Sequence, residues 1–159
     1  MTDTTQLPLL STGRTWQEMP TGLSFRTPGR TMTETDLIHF LGLALYTEPL
    51  FLEADHAAEG GYTGRLIPGG LTFIAAEGLV QQTNVLHGTG LAFMHTDLDI
   101  RQPVYVGDTI HVDIEVTESR ASSRPGRGVV TTRNLVRNSR GEVVMEYNPV
   151  RLIRGDDFG

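Results

Sequence analysis

The chain has 159 residues, of which 38% are hydrophobic and 20% are charged, and its formal net charge is −6 at pH 7. This length predicts one domain with its own core, and an acidic chain without blocks of like charge is not expected to bind nucleic acid or an anionic membrane. The absence of cysteine excludes disulfides, thiol catalysis and cysteine-ligated metals. Because the start, MTDTTQLPLL, lacks the basic and apolar regions of a signal peptide, and no apolar run could span a bilayer, we expect a soluble cytoplasmic protein.

The first third of the sequence predicts short elements. Residues 1–14 are polar with little pattern and indicate a flexible N-terminal arm, so the single domain is expected over residues 15–159. An alternating strand is predicted at 22–26. Thr33, followed three residues later by Asp36, forms a capping-box pattern before a helix expected at 34–45. Pro49 ends that helix, and the irregular stretch 47–64, with a helical turn near 54–59, is a natural place for a functional site.

The segment RLIPGGLTFIAAEGLVQQ, residues 65–82, predicts the central helix of the fold. It is apolar nearly all round, which is typical of a helix inside a protein, and Pro68 suits a first helical position. Gly69 and Gly70 lie at its start, where bare amides can bind an oxyanion or a polarised carbonyl. Close packing of a buried helix explains the two glycines equally well. Glu77 is the one charge along the helix, and a buried carboxylate needs a partner.

The second half of the sequence is β to its end. Strands are predicted at 91–101, at 110–116, where apolar and polar residues alternate strictly, and at 129–137 and 142–153, joined by a tight turn at 138–141. A loop is expected at 119–128. Long antiparallel strands behind one buried helix predict an α+β fold with the sheet wrapped around that helix. Its exposed sheet edges predict a homodimer.

Four segments resemble the MaoC-like dehydratases, a family that includes the (R)-specific enoyl-CoA hydratases. They are TWQEMPTGLSFRTPGRTMTETDLIHF, RLIPGGLTFIAAEGL, RQPVYVGDTIHVDIEV and RPGRGVVTTRNLVRNSRGEVVMEY, and together they cover residues 15 to about 153. The resemblance implies the hot-dog fold, a curved antiparallel sheet around a long central helix, paired as a dimer. It also implies an acyl thioester of coenzyme A or of an acyl carrier protein as substrate, with no cofactor.

One family motif is altered in this chain. In the family, Gly-Asp-x-Asn-Pro-x-His uses its Asp and His to activate water and to deliver a proton across an enoyl-thioester double bond. The matching segment is 45–51, where Tyr46, Glu48 and Phe51 occupy the Asp, Asn and His positions. Phenylalanine transfers no proton, so the usual catalytic pair is missing. The family glycine whose amide holds the thioester carbonyl matches Gly69, and we expect Gly70 and Phe51 beside it at the substrate.

Three residues are candidates for replacement acid–base chemistry. Glu48 is the nearest carboxylate, and burial can raise the pKa of a glutamate towards the working pH, although a solvated loop carboxylate is the alternative. His56 is either a base or a packed histidine. Tyr46 is either a proton donor or an amphipathic wall of the pocket. Glu77 is expected to face the pocket or the dimer contact, or to be a buried acid bonded to a hydroxyl or amide.

Three functions therefore remain open. The first is a hydratase or dehydratase of atypical site that works through Glu48, Tyr46 or His56. The second is a non-catalytic member that binds acyl-CoA or serves as the structural partner of an active subunit. The third is a hot-dog thioesterase in which Glu77 activates water. His39 and His111 have no second ligand at metal spacing, and no metal site is expected.

Overall fold

A computed structural model describes residues 9–158, which contain ten strands and four α-helices. The strands are β1 (Ser24–Arg26), β2 (Arg30–Thr31), β3 (Leu66–Ile67), β4 (Gly90–His95), β5 (Leu98–Ile100), β6 (Val104–Tyr105), β7 (Thr109–Ala121), β8 (Arg127–Asn138), β9 (Val143–Tyr147) and β10 (Val150–Arg154). The helices are α1 (Glu34–Ala44), α2 (Pro49–Leu52), α3 (Ala54–Glu59) and α4 (Gly69–Gln82), and a short 3-10 helix covers Trp16–Glu18.

Eight strands form one antiparallel sheet in the order β1–β7–β8–β10–β4, with β2 on β7 and with β9 between β8 and β5. The strict alternation at 110–116 is confirmed, because its apolar residues are buried while the polar residues between them lie on the opposite face. β9 and β10 continue one another across residues 148–149, and β4 and β5 do so across 96–97. Among the described residues, β4 and β5 pair on one side only and so form an edge.

Helix α4 packs against the inner face of this sheet. Leu71, Ala76, Leu79 and Val80 of α4 are buried in one cluster with inward residues of β7, β8, β9 and β10. Full burial of such side chains contributes about 1.5–3 kcal/mol each, so this layer supplies much of the stability. The predicted α+β architecture, with a curved sheet around a long helix, is confirmed.

The outer side of α4 differs from the prediction that this helix is buried all round. Ile74 is 56% exposed, and a side chain added at Gly78 would meet no atom within 4 Å. Gly70 is exposed on the same side of the helix. The sheet ends at β4 and β5, so within residues 9–158 this side stays open at Ile74 and Gly78, while Gly70 lies beside Phe40 and Tyr46. We call Gly70, Ile74 and Gly78 the outer stripe of α4.

Local chemistry sets the ends of α1. The predicted capping box is confirmed, because Thr33 Oγ1 accepts from the Asp36 N–H (3.2 Å) while the Asp36 carboxylate accepts from the Thr33 N–H (2.9 Å). The Thr33 hydroxyl also donates to Asp36 Oδ2 (2.7 Å), and this bond, together with the one from the Thr33 N–H, lowers the pKa of the Asp36 carboxyl. At the other end, Leu45 adopts φ 56° and ψ 36°, a left-handed conformation that is unusual for leucine. The chain thereby turns sharply into the altered motif.

Several boundaries differ from the sequence prediction. Pro49 begins α2 as its first residue and does not merely end α1, since its fixed φ suits a first helical position. The loop predicted at 119–128 is shorter, because β7 and β8 remain paired as far as Ala121 and Gly128. Residues 1–8 of the predicted arm lie outside the described residues. Further on, the Gly13 N–H donates to His87 O (2.8 Å) and the Arg14 N–H to Val85 O (2.9 Å).

Candidate functional site

The altered motif lies between α1 and α2. The Tyr46 N–H donates to Leu41 O at 3.1 Å, which closes the left-handed turn at Leu45. The Tyr46 ring then packs edge-on against Phe40, with centroids 5.2 Å apart, and lies 5.8 Å from the Phe51 ring. Aromatic side chains therefore occupy both positions at which the family carries its acid–base pair.

A cleft of about 370 Å³ opens beside this aromatic cluster, between α2, the start of α4 and the edge strand β5. Its lining consists of Leu50, Phe51, Tyr62, Leu66, Ile67, Gly69, Thr72, Ile100, Arg101, Gln102, Pro103, Val144 and Met145. Phe51 and Gly69 thus line the same cleft. No Asp, Glu or His is found among the described residues that line this cleft.

The start of α4 offers amides that the helix does not use. Pro68 is its N-cap and makes no side-chain capping bond, and the first helical bond runs from the Thr72 N–H to Pro68 O at 3.0 Å. The amides of Gly69, Gly70 and Leu71 precede that bond. They lie at the positive end of the helix dipole, where a carbonyl oxygen or an anion is stabilised.

Close packing also favours glycine at both positions, most strongly at Gly69. A Cβ on Gly69 would lie far inside van der Waals contact with Ile100 Cδ1, and its next neighbour, Ile100 Cγ1, would be 3.4 Å away. A Cβ on Gly70 would meet the Phe40 ring at 3.3 Å and the Tyr46 hydroxyl at 3.4 Å. Gly69 is therefore explained both by its close contact with Ile100 and by its free amide at the helix start, and the two explanations are compatible.

None of the three candidate acid–base residues lines the cleft. Glu48 and His56 are exposed, Glu48 as the N-cap residue of α2 and His56 in the last turn of α3, and neither lines the cleft. Tyr46 is 38% exposed, and its hydroxyl lies near Gly70. Of the three, Tyr46 alone is therefore near the start of α4.

Glu77 has partners of its own inside the protein. Its carboxylate accepts a hydrogen bond from the Tyr147 hydroxyl (2.8 Å) and two from Arg151 Nη2 (2.6 and 2.7 Å). Burial, reinforced by the Glu77 charge, raises the pKa of the Tyr147 hydroxyl, which therefore stays a neutral donor. The guanidinium of Arg151 lies over the Phe93 ring at 5.1 Å. This is the geometry of a buried structural acid, and Glu77 does not line the cleft.

Several residues that shape the site belong to no motif of the sequence. Ile100, Met145 and Tyr62 line the cleft but belong to no motif, and strand alternation predicts only that some strand residues face inward. Arg65 holds α2 in place, because its Nη1 donates to Phe51 O (2.8 Å) and its Nη2 to Glu34 (3.0 Å). In the sequence, the one indication that Arg65 shapes the site is its position shortly before Gly69 and Gly70.

Within residues 9–158 no helix is long and apolar enough to cross a membrane. The same residues contain no group of three His, Asp or Glu side chains arranged to hold a metal ion.

A helix enclosed by a curved antiparallel sheet, with a cleft at the helix start, defines a hot-dog domain. The chain belongs to the MaoC-like hot-dog family of dehydratases and hydratases, since the family model for the FAS1-like dehydratase domain region matches residues 21–147. A UPF0336 protein of Mycobacterium leprae is 31% identical over 135 residues, which are 79% of this chain and 81% of that protein. An (R)-specific enoyl-CoA hydratase of Rhodospirillum rubrum is 32% identical over 90 residues, 55% of this chain and 60% of that enzyme.

Solved structures agree with this fold. The MaoC-like dehydratase from Rhodospirillum rubrum superposes with a TM-score of 0.81 at 23% identity, covering 90% of this chain and 98% of that chain. A double hot-dog protein of Mycobacterium tuberculosis gives a TM-score of 0.80 at 21% identity, covering 91% of this chain but 45% of that one. The hot-dog fold implied by the sequence resemblance is confirmed.

Proposed function

We propose that this chain binds acyl thioesters in the cleft at Gly69 and works as the non-catalytic partner of a second hot-dog subunit, which supplies the acid and the base. The substrate class follows from the family, whose members include an (R)-specific enoyl-CoA hydratase. The Gly69 amide, at the positive end of α4, is the donor that would polarise the thioester carbonyl. A cytoplasmic location stays a prediction.

The observation that carries this proposal is Phe51. Hydration of an enoyl thioester needs a base to take a proton from water and an acid to protonate the α-carbon. Phe51 lines the cleft at the motif position where the family carries its histidine, and its ring does neither. Glu48 and His56 lie outside the lining, so within residues 9–158 no carboxylate or imidazole lies beside a water in the cleft.

The exposed edge supports a partner subunit. Phe93, Met94 and Ile100 of β4 and β5 are 46%, 56% and 60% exposed, and Ile74 on the outer stripe of α4 is 56% exposed. An unpaired, apolar edge beside an uncovered helix face is suited to pairing with a second sheet edge. The double hot-dog protein, of which this chain covers 45%, carries two such domains in one chain. The partner that supplies the acid and the base is a different hot-dog chain, because a second copy would carry the same Tyr46 and Phe51.

An active hydratase is the second candidate, and the Tyr46 hydroxyl near Gly70 favours it. In that case Tyr46 would donate the proton and the exposed Glu48 or His56 would reach the cleft as base. A thioesterase is not proposed, because the carboxylate of Glu77 already serves Tyr147 and Arg151.

The test is to titrate the purified chain with crotonyl-CoA and to follow hydration as loss of the enoyl-thioester absorbance. We expect binding without turnover from the chain alone. Turnover that disappears in Glu48→Gln or Tyr46→Phe would instead establish the active hydratase. Failure to bind crotonyl-CoA would refute both candidates for this substrate.

Restoring the motif gives a sharper test. The triple change Tyr46→Asp, Glu48→Asn and Phe51→His rebuilds the family's acid–base set beside an unchanged Gly69. If the cleft holds the thioester as proposed, this variant gains hydration above the wild-type background, whereas Tyr46→Asp with Glu48→Asn alone does not. A restored variant that binds crotonyl-CoA yet stays inactive would mean that the cleft does not orient the substrate.

A further inference from the structure

One wall of the cleft belongs to the segment that connects α1 with β3. This segment, residues 47–64, contains the short helices α2 and α3, and we call it the α2–α3 segment. It contributes Leu50, Phe51 and Tyr62 to the lining of the cleft that Gly69 also lines. A movement of the α2–α3 segment away from the sheet would therefore open the cleft from this side.

Within residues 9–158, a single hydrogen bond joins the α2–α3 segment to the rest of the protein. Its backbone bonds, such as the one from the Tyr62 N–H to Ala57 O (3.1 Å), stay inside the segment. The exception is Phe51 O, which accepts a hydrogen bond from Arg65 Nη1 at 2.8 Å. Of the described residues in this segment, only Ala57 is buried. A segment with so few buried contacts and external bonds opens locally at low cost.

The backbone turns sharply near both ends of the α2–α3 segment. Leu45, two residues before it, has a φ of 56°, and Gly61, just after α3, has a φ of 84°. A side chain added at Gly61 would meet no atom within 4 Å, so the chain has free space around this turn. Hinges of moving segments lie at such loop positions, which absorb the change in φ and ψ. The two helices can therefore move together between these turns.

Arg65, which donates the one external bond, is itself held by the body of the protein. Its Nε and Nη2 donate to Glu34 Oε1 of α1 at 3.2 and 3.0 Å, and its carbonyl accepts from the Val106 N–H at 2.9 Å. The Arg65 side chain is 22% exposed. Because its guanidinium is charged, its bond to Phe51 O is stronger than a bond between neutral groups. Arg65 thus fastens the α2–α3 segment to α1 and β3.

We propose that Arg65 is a positioning residue that holds the cleft closed, and that breaking its bond to Phe51 O controls how fast a thioester enters and leaves. The inference rests on the proposed binding of acyl thioesters at Gly69 and adds the control of access to that site. Arg65 is not among the lining residues of the cleft, so it acts through the position of Phe51 and not by touching the ligand.

The expected size of the effect follows from the strength of this bond. A hydrogen bond from a charged donor changes an equilibrium between open and closed forms by about 10- to 100-fold. Because the Arg65 side chain is partly exposed, we expect its loss to raise the open population about tenfold. Under this proposal the bond is the same in the free and the ligand-bound chain, so both open populations rise by one factor. Association and dissociation then become faster together, and the dissociation constant changes by less than about threefold.

The experiment compares the wild type with Arg65→Met, which keeps an apolar stem but removes every donor. Arg65→Lys is the second variant in case Arg65→Met fails to fold, because it keeps the charge beside Glu34 but lacks the planar fork of donors. Arg140→Met is the control, since Arg140 is an exposed arginine that pairs with Glu142 (2.8 Å) and lies outside the cleft lining. Hydrogen exchange of the amides of residues 47–64 is measured without ligand. Surface plasmon resonance then gives the association and dissociation rate constants of crotonyl-CoA.

We expect Arg65→Met to raise amide exchange in the α2–α3 segment and both rate constants about tenfold, Arg65→Lys to raise them less, and Arg140→Met to change none of them. A wild type that does not bind crotonyl-CoA would overturn the proposed function and the inference with it. If crotonyl-CoA binds, the inference alone is overturned by unchanged exchange and rate constants in the folded Arg65 variants. It is also overturned by a tenfold weaker dissociation constant that arises from faster dissociation alone, because that is the behaviour of a residue that contacts the ligand.

Discussion

Replacing Glu77 with glutamine tests whether this residue holds the fold or serves the ligand. Arg151 is 6% exposed and directs two hydrogen bonds of 2.6 and 2.7 Å at the Glu77 carboxylate. Glutamine keeps one acceptor oxygen but removes the negative charge, so a nearly buried guanidinium loses its counter-charge. Such losses typically cost about 3–5 kcal/mol, and a hydrogen bond to a charged group is worth about 1.5–3 kcal/mol.

We expect Glu77→Gln to lower the free energy of unfolding by about 2–4 kcal/mol. This is less than the about 3–5 kcal/mol typical of a broken buried ion pair, because the Glu77 side chain is 18% exposed and water screens part of the charge. The total free energy of unfolding of a domain is about 5–15 kcal/mol. Urea unfolding followed by the fluorescence of the single tryptophan, Trp16, measures the change. The double variant Glu77→Leu with Arg151→Met should recover most of the loss, because a buried ion pair replaced by apolar side chains is often neutral or stabilising.

The structural role of Glu77 would be refuted by a loss below about 0.5 kcal/mol, or by additive effects of the two changes in the double-mutant cycle. Crotonyl-CoA affinity supplies the second readout. Because Glu77 lies outside the cleft lining, the folded fraction of Glu77→Gln should bind as the wild type does. A tenfold loss of affinity at unchanged stability would show that Glu77 contributes to substrate binding.

Three further predictions follow from single positions. Gly69→Ala keeps the amide but forces the exposed end of Ile100 aside. It should weaken crotonyl-CoA binding in a titration, while the free energy of unfolding changes by less than about 1 kcal/mol. Adding Ile100→Ala to this variant should restore binding in the same titration. Leu45→Gly should raise the free energy of unfolding by about 0.5–1 kcal/mol because φ is 56° there, whereas Leu43→Gly, inside α1, should lower it by about 1 kcal/mol. Burial, followed by the charge of Arg26, lowers the pKa of His111, so the folded protein resists protonating it and stability should fall as the pH drops below about 6.5. His111→Gln should flatten that slope in urea unfolding at a series of pH values, and His39→Gln, on an exposed helix position, is its control.

The sequence predicts those parts of the fold that depend on local pattern. Strict alternation defines β7, the capping box defines the start of α1, and an apolar run after a Pro-Gly-Gly sequence defines α4. Gly69 and Phe51, which the family resemblance singles out, both line the cleft, and their role at a substrate stays a prediction. Each of these signals lies within a window of a few residues, where spacing and propensity act.

The rest depends on contacts between distant residues. Glu77 contacts Tyr147 and Arg151, which are 70 and 74 positions away, and no spacing in the sequence predicts these contacts. Likewise Ile100 covers Gly69 only because the edge strand is laid beside α4. The exposed outer stripe escaped prediction for a related reason: an apolar pattern reports that a surface will be covered, but not whether the same chain covers it.

That outer stripe and its neighbouring edge affect how the chain behaves when it is made by itself. Within residues 9–158, the outer edge of β4 and β5 has unpaired backbone groups flanked by Phe93 and Met94, so another strand could pair with it and cause aggregation. Charged residues that oppose such pairing, Asp97 and Asp99, lie towards one end of this edge only. We therefore expect that synthesis without the proposed partner subunit yields more aggregate and faster proteolysis than co-expression with it. The steady-state amount of this chain in a cell would then follow the supply of its partner.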